Sequence, residues 1–135
     1  MKGILADVHM GAYVDALVRE MQSDYWIGFW NHLGLKRYEF EDIGLTPTSA
    51  DVEIWQRCQA ERLAFITNNR NADSADSLEA AIRTLNQPDS LPVFTIGDLP
   101  RLGKSKAYAT RVVDKLFGYL LDIDRVRGAG RLYLP

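Results

Sequence analysis

Apolar positions along the chain switch repeatedly between two spacings. Ile4-Leu5-Ala6 is a short unbroken run ended by Asp7, which predicts a buried strand. After Gly11, the residues Val14, Leu17, Val18 and Met21 recur at helical spacing. Tyr25, Trp26, Phe29, Trp30 and Leu33 form a second helical patch that stops at Gly34. Tyr38, Phe40 and Ile43 alternate with polar residues, predicting a short strand before Gly44. Thr48 or Ser49 is then placed to cap a helix carrying Ile54, Trp55, Cys58 and Arg62, with Asp51 in its first turn.

Leu63-Ala64-Phe65-Ile66-Thr67 is the clearest strand, apolar and short, as expected where both faces are covered. It leads into the polar stretch Asn68 to Asp76, after which Asp76 or Ser77 caps a helix with Leu78, Ile82 and Leu85. A strand over Leu91 to Ile96 follows Pro88, then a turn through Gly97-Asp98-Leu99-Pro100. Tyr108, Val112, Leu116, Tyr119 and Leu120 mark a long helix ended by Gly128 and Gly130, and Leu132-Tyr133-Leu134 predicts a last strand. Strands and helices alternate about five times. That alternation predicts an α/β fold, a mostly parallel sheet of about five strands with helices on both faces.

Composition narrows the class. With 135 residues, 47% hydrophobic and 25% charged, the chain has the make-up of one soluble globular domain, residues 1–135, and not of a disordered tail. No run of about 18 apolar residues is present to cross a bilayer, and the N-terminus lacks an export signal. One cysteine, Cys58, cannot pair within the chain; a reducing cytoplasm is the expected location, and a mid-helix core thiol the expected role. The net charge of −2 conceals a division. Residues 1–100 hold 8 Lys+Arg against 15 Asp+Glu, a balance of −7, whereas residues 101–135 hold 8 against 3, a balance of +5. Lys104, Lys106, Arg111 and Lys115 are read first as the solvated face of the long helix.

In parallel sheets, chemistry gathers at the carboxyl ends of the strands. Asp7 arrives there from the first strand, Thr67 and the Asn68–Asp76 stretch from the third, and Asp51 heads the helix that leads into the third. Oxygen-bearing groups converging on one edge suit a hard cation such as Mg²⁺ or Mn²⁺, which assists phosphodiester hydrolysis. Asp7 is the hardest to explain structurally, because an acid ending a buried strand is costly unless paired or liganded. His9 is placed to orient a phosphate, to act as acid–base or to cap the next helix, the reading we favour. His32, in the aromatic patch, reads as packed. Zinc motifs, a GxSxG elbow and glycine-rich phosphate loops are not found.

Three blocks together resemble a known family. Ile4-Leu5-Ala6-Asp7, then Asp42-Ile43-Gly44-Leu45 with Ser49-Ala50-Asp51-Val52-Glu53-Ile54-Trp55, then Phe65-Ile66-Thr67-Asn68-Asn69-Arg70-Asn71, resemble in order and spacing the motifs of PIN-like nuclease domains, over roughly residues 3–100. The resemblance implies a three-layer Rossmann-like fold, Mg²⁺- or Mn²⁺-dependent cleavage of RNA and, in many members, a toxin held by an antitoxin partner. It implies Asp7 as first ligand, Asp51 (or Glu53) as second, Asn68 or Asn69 as third and Asn71 as fourth. The family usually has aspartate at the third and fourth positions, and an asparagine offers one neutral carbonyl oxygen in place of a charged carboxylate. Asp73 or Asp76 is placed to restore a carboxylate. In this reading Asp7, Asp51 and Asn69 carry the chemistry, and Arg70 and His9 lie by the phosphate.

Two alternatives stand beside it: a catalytically degenerate PIN-like module that binds RNA or a protein, and a response-regulator receiver, which would need an acidic pair after the first strand and an aspartate ending the third. The patch of Tyr25, Trp26, Phe29 and Trp30 is read as core first, protein interface second and nucleic-acid surface third. Its breadth predicts a homo-oligomer or a partner-bound complex.

Overall fold

The computed structural model describes residues 1–70 and 77–135. Five parallel strands form one sheet in the order β2-β1-β3-β4-β5: β1 Gly3–Ala6, β2 Arg37–Tyr38, β3 Leu63–Thr67, β4 Val93–Thr95 and β5 Arg131–Tyr133. Six α-helices stand among the described residues: α1 Tyr13–Met21, α2 Ile27–His32, α3 Asp51–Glu61, α4 Leu78–Leu85, α5 Lys106–Leu121 and α6 Ile123–Val126. The alternation of strand side chains sorts them into two layers. Ile4, Ala6, Ala64, Ile66, Phe94 and Ile96 pack on one face under α1, α2 and α5. Leu5, Leu63, Phe65 and Val93 pack on the other under α3 and α4. The molecule is thus a three-layer, Rossmann-like α/β fold.

The connections have a consequence for handedness. The step from β1 to β2 crosses on the α1 face, and the steps β2 to β3 and β3 to β4 go the opposite way on the α3/α4 face, so these three share one hand. The step from β4 to β5 continues the second direction but crosses on the α1 face through α5, which gives it the opposite hand, against the usual uniformity. Two glycines permit close approaches. A Cβ on Gly3 would run into the Lys36 carbonyl oxygen and the Tyr38 ring, so only glycine lets β1 lie this close to β2. Gly128 turns with φ +83° while its α-carbon faces the Pro88 backbone, and there the chain swings into β5.

Several local expectations are corrected. The strand foreseen over Tyr38, Phe40 and Ile43 is only Arg37–Tyr38; Phe40–Ile43 instead winds into a 3-10 helix held by a reciprocal Glu39–Asp42 capping box, which outweighs the alternation. Neither Thr48 nor Ser49 caps α3. Ala50 is the N-cap without a side-chain bond, and Ser49 Oγ accepts from the Thr46 amide at 2.9 Å in the preceding turn. The strand expected over Leu91 to Ile96 is trimmed to Val93–Thr95. The turn expected through Gly97-Asp98-Leu99-Pro100 runs into a 3-10 helix over Leu99–Gly103, and α6 follows α5 where only terminating glycines were foreseen. Ser77 does cap α4, its Oγ accepting from the Ala80 amide at 3.1 Å.

The aromatic patch divides. Trp26 and Trp30 are buried in the core, Trp26 stacked on Phe117 at 5.7 Å, so they do not form the broad outer face on which the expectation of self-association rested. Tyr25, Phe29 and Leu121 stay exposed around an open hollow with Gly28 and His32. His32 is exposed, not packed: α2 turns Trp30 inward, and His32 falls on the opposite side.

Candidate functional site

The strand order places the site. Between β1 and β3 the connections leave in opposite directions on opposite faces, and ligands of open parallel sheets bind in the crevice at such a switch point. Asp7 stands at the carboxyl end of β1, 5% exposed, and Thr67 ends β3 beside it, fully buried. The Asp7 amide donates to the Ile66 carbonyl at 2.8 Å, carrying the β1–β3 ladder one residue beyond the strand. Both Asp7 oxygens are engaged: Oδ2 accepts from the Thr67 hydroxyl at 2.7 Å and Oδ1 from the His9 amide at 3.0 Å. The unpaired-acid problem posed by the sequence is solved with hydrogen bonds. The capping role expected of His9 belongs to Asp7, which caps the short 3-10 helix Val8–Met10; the His9 ring is exposed.

Thr67 passes the connection on. Its hydroxyl oxygen accepts from the Asn69 amide at 3.0 Å, and the Asn69 side-chain Nδ2 donates to Asp51 Oδ2 at 3.2 Å. Asp51 Oδ2 also accepts from the Leu78 amide at 3.1 Å, in the first turn of α4. Asp7 and Asp51, 44 positions apart in sequence, are therefore joined by a chain of hydrogen bonds through Thr67 and Asn69. Asn68 is exposed beside them, so of the two asparagines it is Asn69 that bridges the carboxylates. Glu53 lies on the exposed side of α3. Asn71, Asp73 and Asp76 lie outside the described residues. Among the described residues, no group of three His, Cys, Asp or Glu side chains is gathered as a metal centre.

A third element of the site was not foreseen in the sequence. Arg131, the first residue of β5, has a side chain only 5% exposed. Its Nη1 donates to the Asn69 carbonyl at 2.7 Å and to Thr95 Oγ1 at 2.6 Å, while Nε donates to Glu79 Oε2 at 3.0 Å. The guanidinium thus ties the chain after β3 to the end of β4 and the first turn of α4. The alternation Arg131-Leu132-Tyr133-Leu134 carried the signal: with the leucines turned to the core, the arginine faces the α3/α4 side of the sheet, where an interior cation needs partners.

No family model, curated protein or solved structure matches this chain.

Arg70, adjacent to Asn69, extends over the Tyr133 ring, its Cζ 5.4 Å from the centroid. Cys58 is sealed in the core between α3 and the sheet, and burial pushes its thiol up to about 12, which removes it from nucleophilic chemistry. Lys104, Lys106, Arg111 and Lys115 are all exposed along α5 and the turn before it, as expected of a solvated face.

Proposed function

We propose that this chain is a PIN-like domain that hydrolyses a phosphodiester of RNA at the carboxyl edge of its sheet, with Mg²⁺ or Mn²⁺ held by Asp7 and Asp51. One observation carries the reading: two distant carboxylates meet at the switch point through Thr67 and Asn69. The donor set suits the ion. Mg²⁺ is commonly held by one or two carboxylates, with waters and substrate phosphate completing its shell, and turning the Asn69 amide would add a carbonyl oxygen. A bound ion would supply an activated water and offset charge on the leaving oxygen. The chain's own residues hold the ligands: Thr67 and the His9 amide fix Asp7 and the Leu78 amide fixes Asp51, while Arg70, next to Asn69 in the chain, is the cation we assign to the phosphate.

A second reading is favoured by one specific contact. The Asn69 Nδ2 group, a neutral donor, already occupies Asp51 at the point where a cation would bind. This is the arrangement of a degenerate module that keeps the fold and binds RNA or protein without cleaving. Calorimetry with Mn²⁺, together with cleavage of a generic single-stranded RNA, separates the two. Heat of binding and cleavage that both vanish in Asp7→Ala support the hydrolase; a flat isotherm with no cleavage rejects it in favour of the module.

A further inference from the structure

We infer that Tyr133 and Arg70 form a base-stacking subsite for single-stranded nucleic acid beside the carboxylate pair, continued by Arg101 and Arg111. The register across the sheet sets the layout. Thr67 pairs with Thr95 and Thr95 with Tyr133, so these residues form one row along the carboxyl edge. Adjacent strands lie about 4.8 Å apart, which puts Tyr133 roughly 10 Å from Thr67 along that row. Tyr133 is 54% exposed, although it ends a strand whose other residues are largely covered. Here a guanidinium already lies over part of the ring, leaving the rest open.

The surroundings carry charge of the right sign. A Cβ on Gly97 would stand 3.3 Å from Arg70 Nη2 and 3.1 Å from the Pro135 carbonyl oxygen, so Arg70 lies against the end of β5. The Tyr108 hydroxyl donates to that same Pro135 carbonyl and accepts from the Asp98 amide. Arg101 and Arg111 flank the Tyr108 ring at 4.5 and 5.6 Å from its centroid, and both are exposed. Three arginines thus follow one another around the edge from the Asn69 side to the start of α5. Among the described residues, Asp98 pairs with Arg101, at 4.0 Å. Guanidinium groups beside an accessible ring match a strand that presents phosphates and unstacked bases together, whereas a duplex hides its base faces. The inference rests on the proposed function only in placing this subsite next to the reacting edge.

The test is fluorescence anisotropy of a labelled 12-nucleotide oligouridine, and of its duplex with oligoadenosine, titrated with the full chain in EDTA. Binding of the single strand that is tighter than that of the duplex and weakens with salt is expected. Tyr133→Ala should weaken it roughly 5- to 100-fold, the range for losing one stacked base, while Tyr133→Phe keeps it. Arg70→Gln should flatten the salt dependence by about 0.7 in slope, one phosphate contact. Tyr133 is half exposed, and a thermal melt checks that its variants are folded. Equal binding of single strand and duplex, no binding by the parent chain, or a folded Tyr133→Ala within twofold of the parent overturns the subsite. Because EDTA removes metal, the two ideas fail separately. A Mn²⁺ isotherm without Tyr133-dependent binding sinks the subsite alone, and Tyr133-dependent binding with a flat isotherm sinks the hydrolase alone.

Discussion

Asn69→Asp is the substitution that exposes the logic of the site. The two side chains have the same shape, so packing is unchanged and the effect is electrostatic. In the parent, Nδ2 donates to Asp51 Oδ2 at 3.2 Å; in the variant two carboxylate oxygens face each other across that gap. A hydrogen bond to a charged acceptor contributes about 1.5–3 kcal/mol, and its loss is the first cost. Two unit charges about 4 Å apart repel by about 4 kcal/mol at an effective dielectric of 20, and half-exposure of both residues here reduces that to a fraction. Rotation of the new side chain relieves part of the remainder. A net loss of about 2–4 kcal/mol follows, or roughly 8–16 °C in Tm at about 4 °C per kcal/mol for a domain of this size.

The loss has a definite pH dependence. Repulsion needs both carboxylates ionised, so it raises the pKa of the folded pair above the unfolded values, and the variant approaches the parent as pH falls toward about 4. Above that, the gap widens with rising pH and then levels off. A divalent cation reverses the sign. A third carboxylate tightens a hard-cation site, and metal at about 100 times its Kd returns about 2.7 kcal/mol. The assay is thermal unfolding of parent and variant in EDTA and in millimolar Mn²⁺, at pH 4.5 and 7.5. If the variant melts with the parent in EDTA at pH 7.5, Asn69 does not bridge the carboxylates. If Mn²⁺ leaves the variant unmoved, the converging-carboxylate site is wrong.

Three further predictions come from other parts of the molecule. Gly3→Ala drives a methyl into the Lys36 carbonyl and the Tyr38 ring and should cost about 2–3 kcal/mol in denaturant unfolding; a cost under about 0.5 kcal/mol would mean β2 is not held against β1 as described. Arg131→Met leaves Glu79 without its cation and removes the guanidinium bond to the Asn69 carbonyl, and should lower stability by about 3 kcal/mol; a neutral result would show the guanidinium is not the tie between β5, β4 and α4. Cys58, its thiol raised to about 12, should resist a thiol reagent at pH 8 until the chain is unfolded. The native state then favours the protonated thiol, so stability should fall by about 1.4 kcal/mol per pH unit from about pH 9 toward 12; rapid labelling of folded protein would contradict the burial.

The fold was legible because its strands announce themselves. Leu63–Thr67, buried at every position and apolar up to its final threonine, needs helices on both faces, and the helical spacing of α1 and α5 supplies one such layer. Where the chain departs from expectation, a local hydrogen bond outweighs a side-chain period. The Glu39–Asp42 box curls Phe40–Ile43 into a 3-10 helix, although its apolar spacing also suits a strand. The site was half legible. That Asp7 and Asp51 come together was legible because a carboxylate ending a buried strand and one heading a helix both point to the carboxyl edge. Arg131, Thr95 and Glu79 were not, since their partners lie on strands and helices whose neighbours only the strand order reveals. Exposure also misled: Tyr25/Phe29 and Trp26/Trp30 form two adjoining stripes, and only the tryptophan stripe is buried, with Trp26 stacked on Phe117.

The way the carboxylates are satisfied dictates where a cation would first be felt. Asp7 is nearly inaccessible and already holds one donor on each oxygen, so an ion reaching it must crowd in beside the buried Thr67 hydroxyl or the His9 amide. Displacing Thr67 would also disturb the Asn69 amide that leans on the same hydroxyl. Asp51 is different. One of its donors is the Asn69 side chain, half exposed and able to turn about a single bond, presenting its carbonyl oxygen where its amide had been. Turning that amide leaves the Leu78 donor in place. Entry should therefore proceed by rotation of Asn69 while the Asp7–Thr67 bond holds. A Mg²⁺ titration followed by amide NMR should shift the Asn69 side-chain NH₂ pair and the Leu78 amide at lower metal concentration than the His9 amide. Simultaneous movement of all three, or movement of His9 first, would place the ion on Asp7 and remove Asn69 from its gating position.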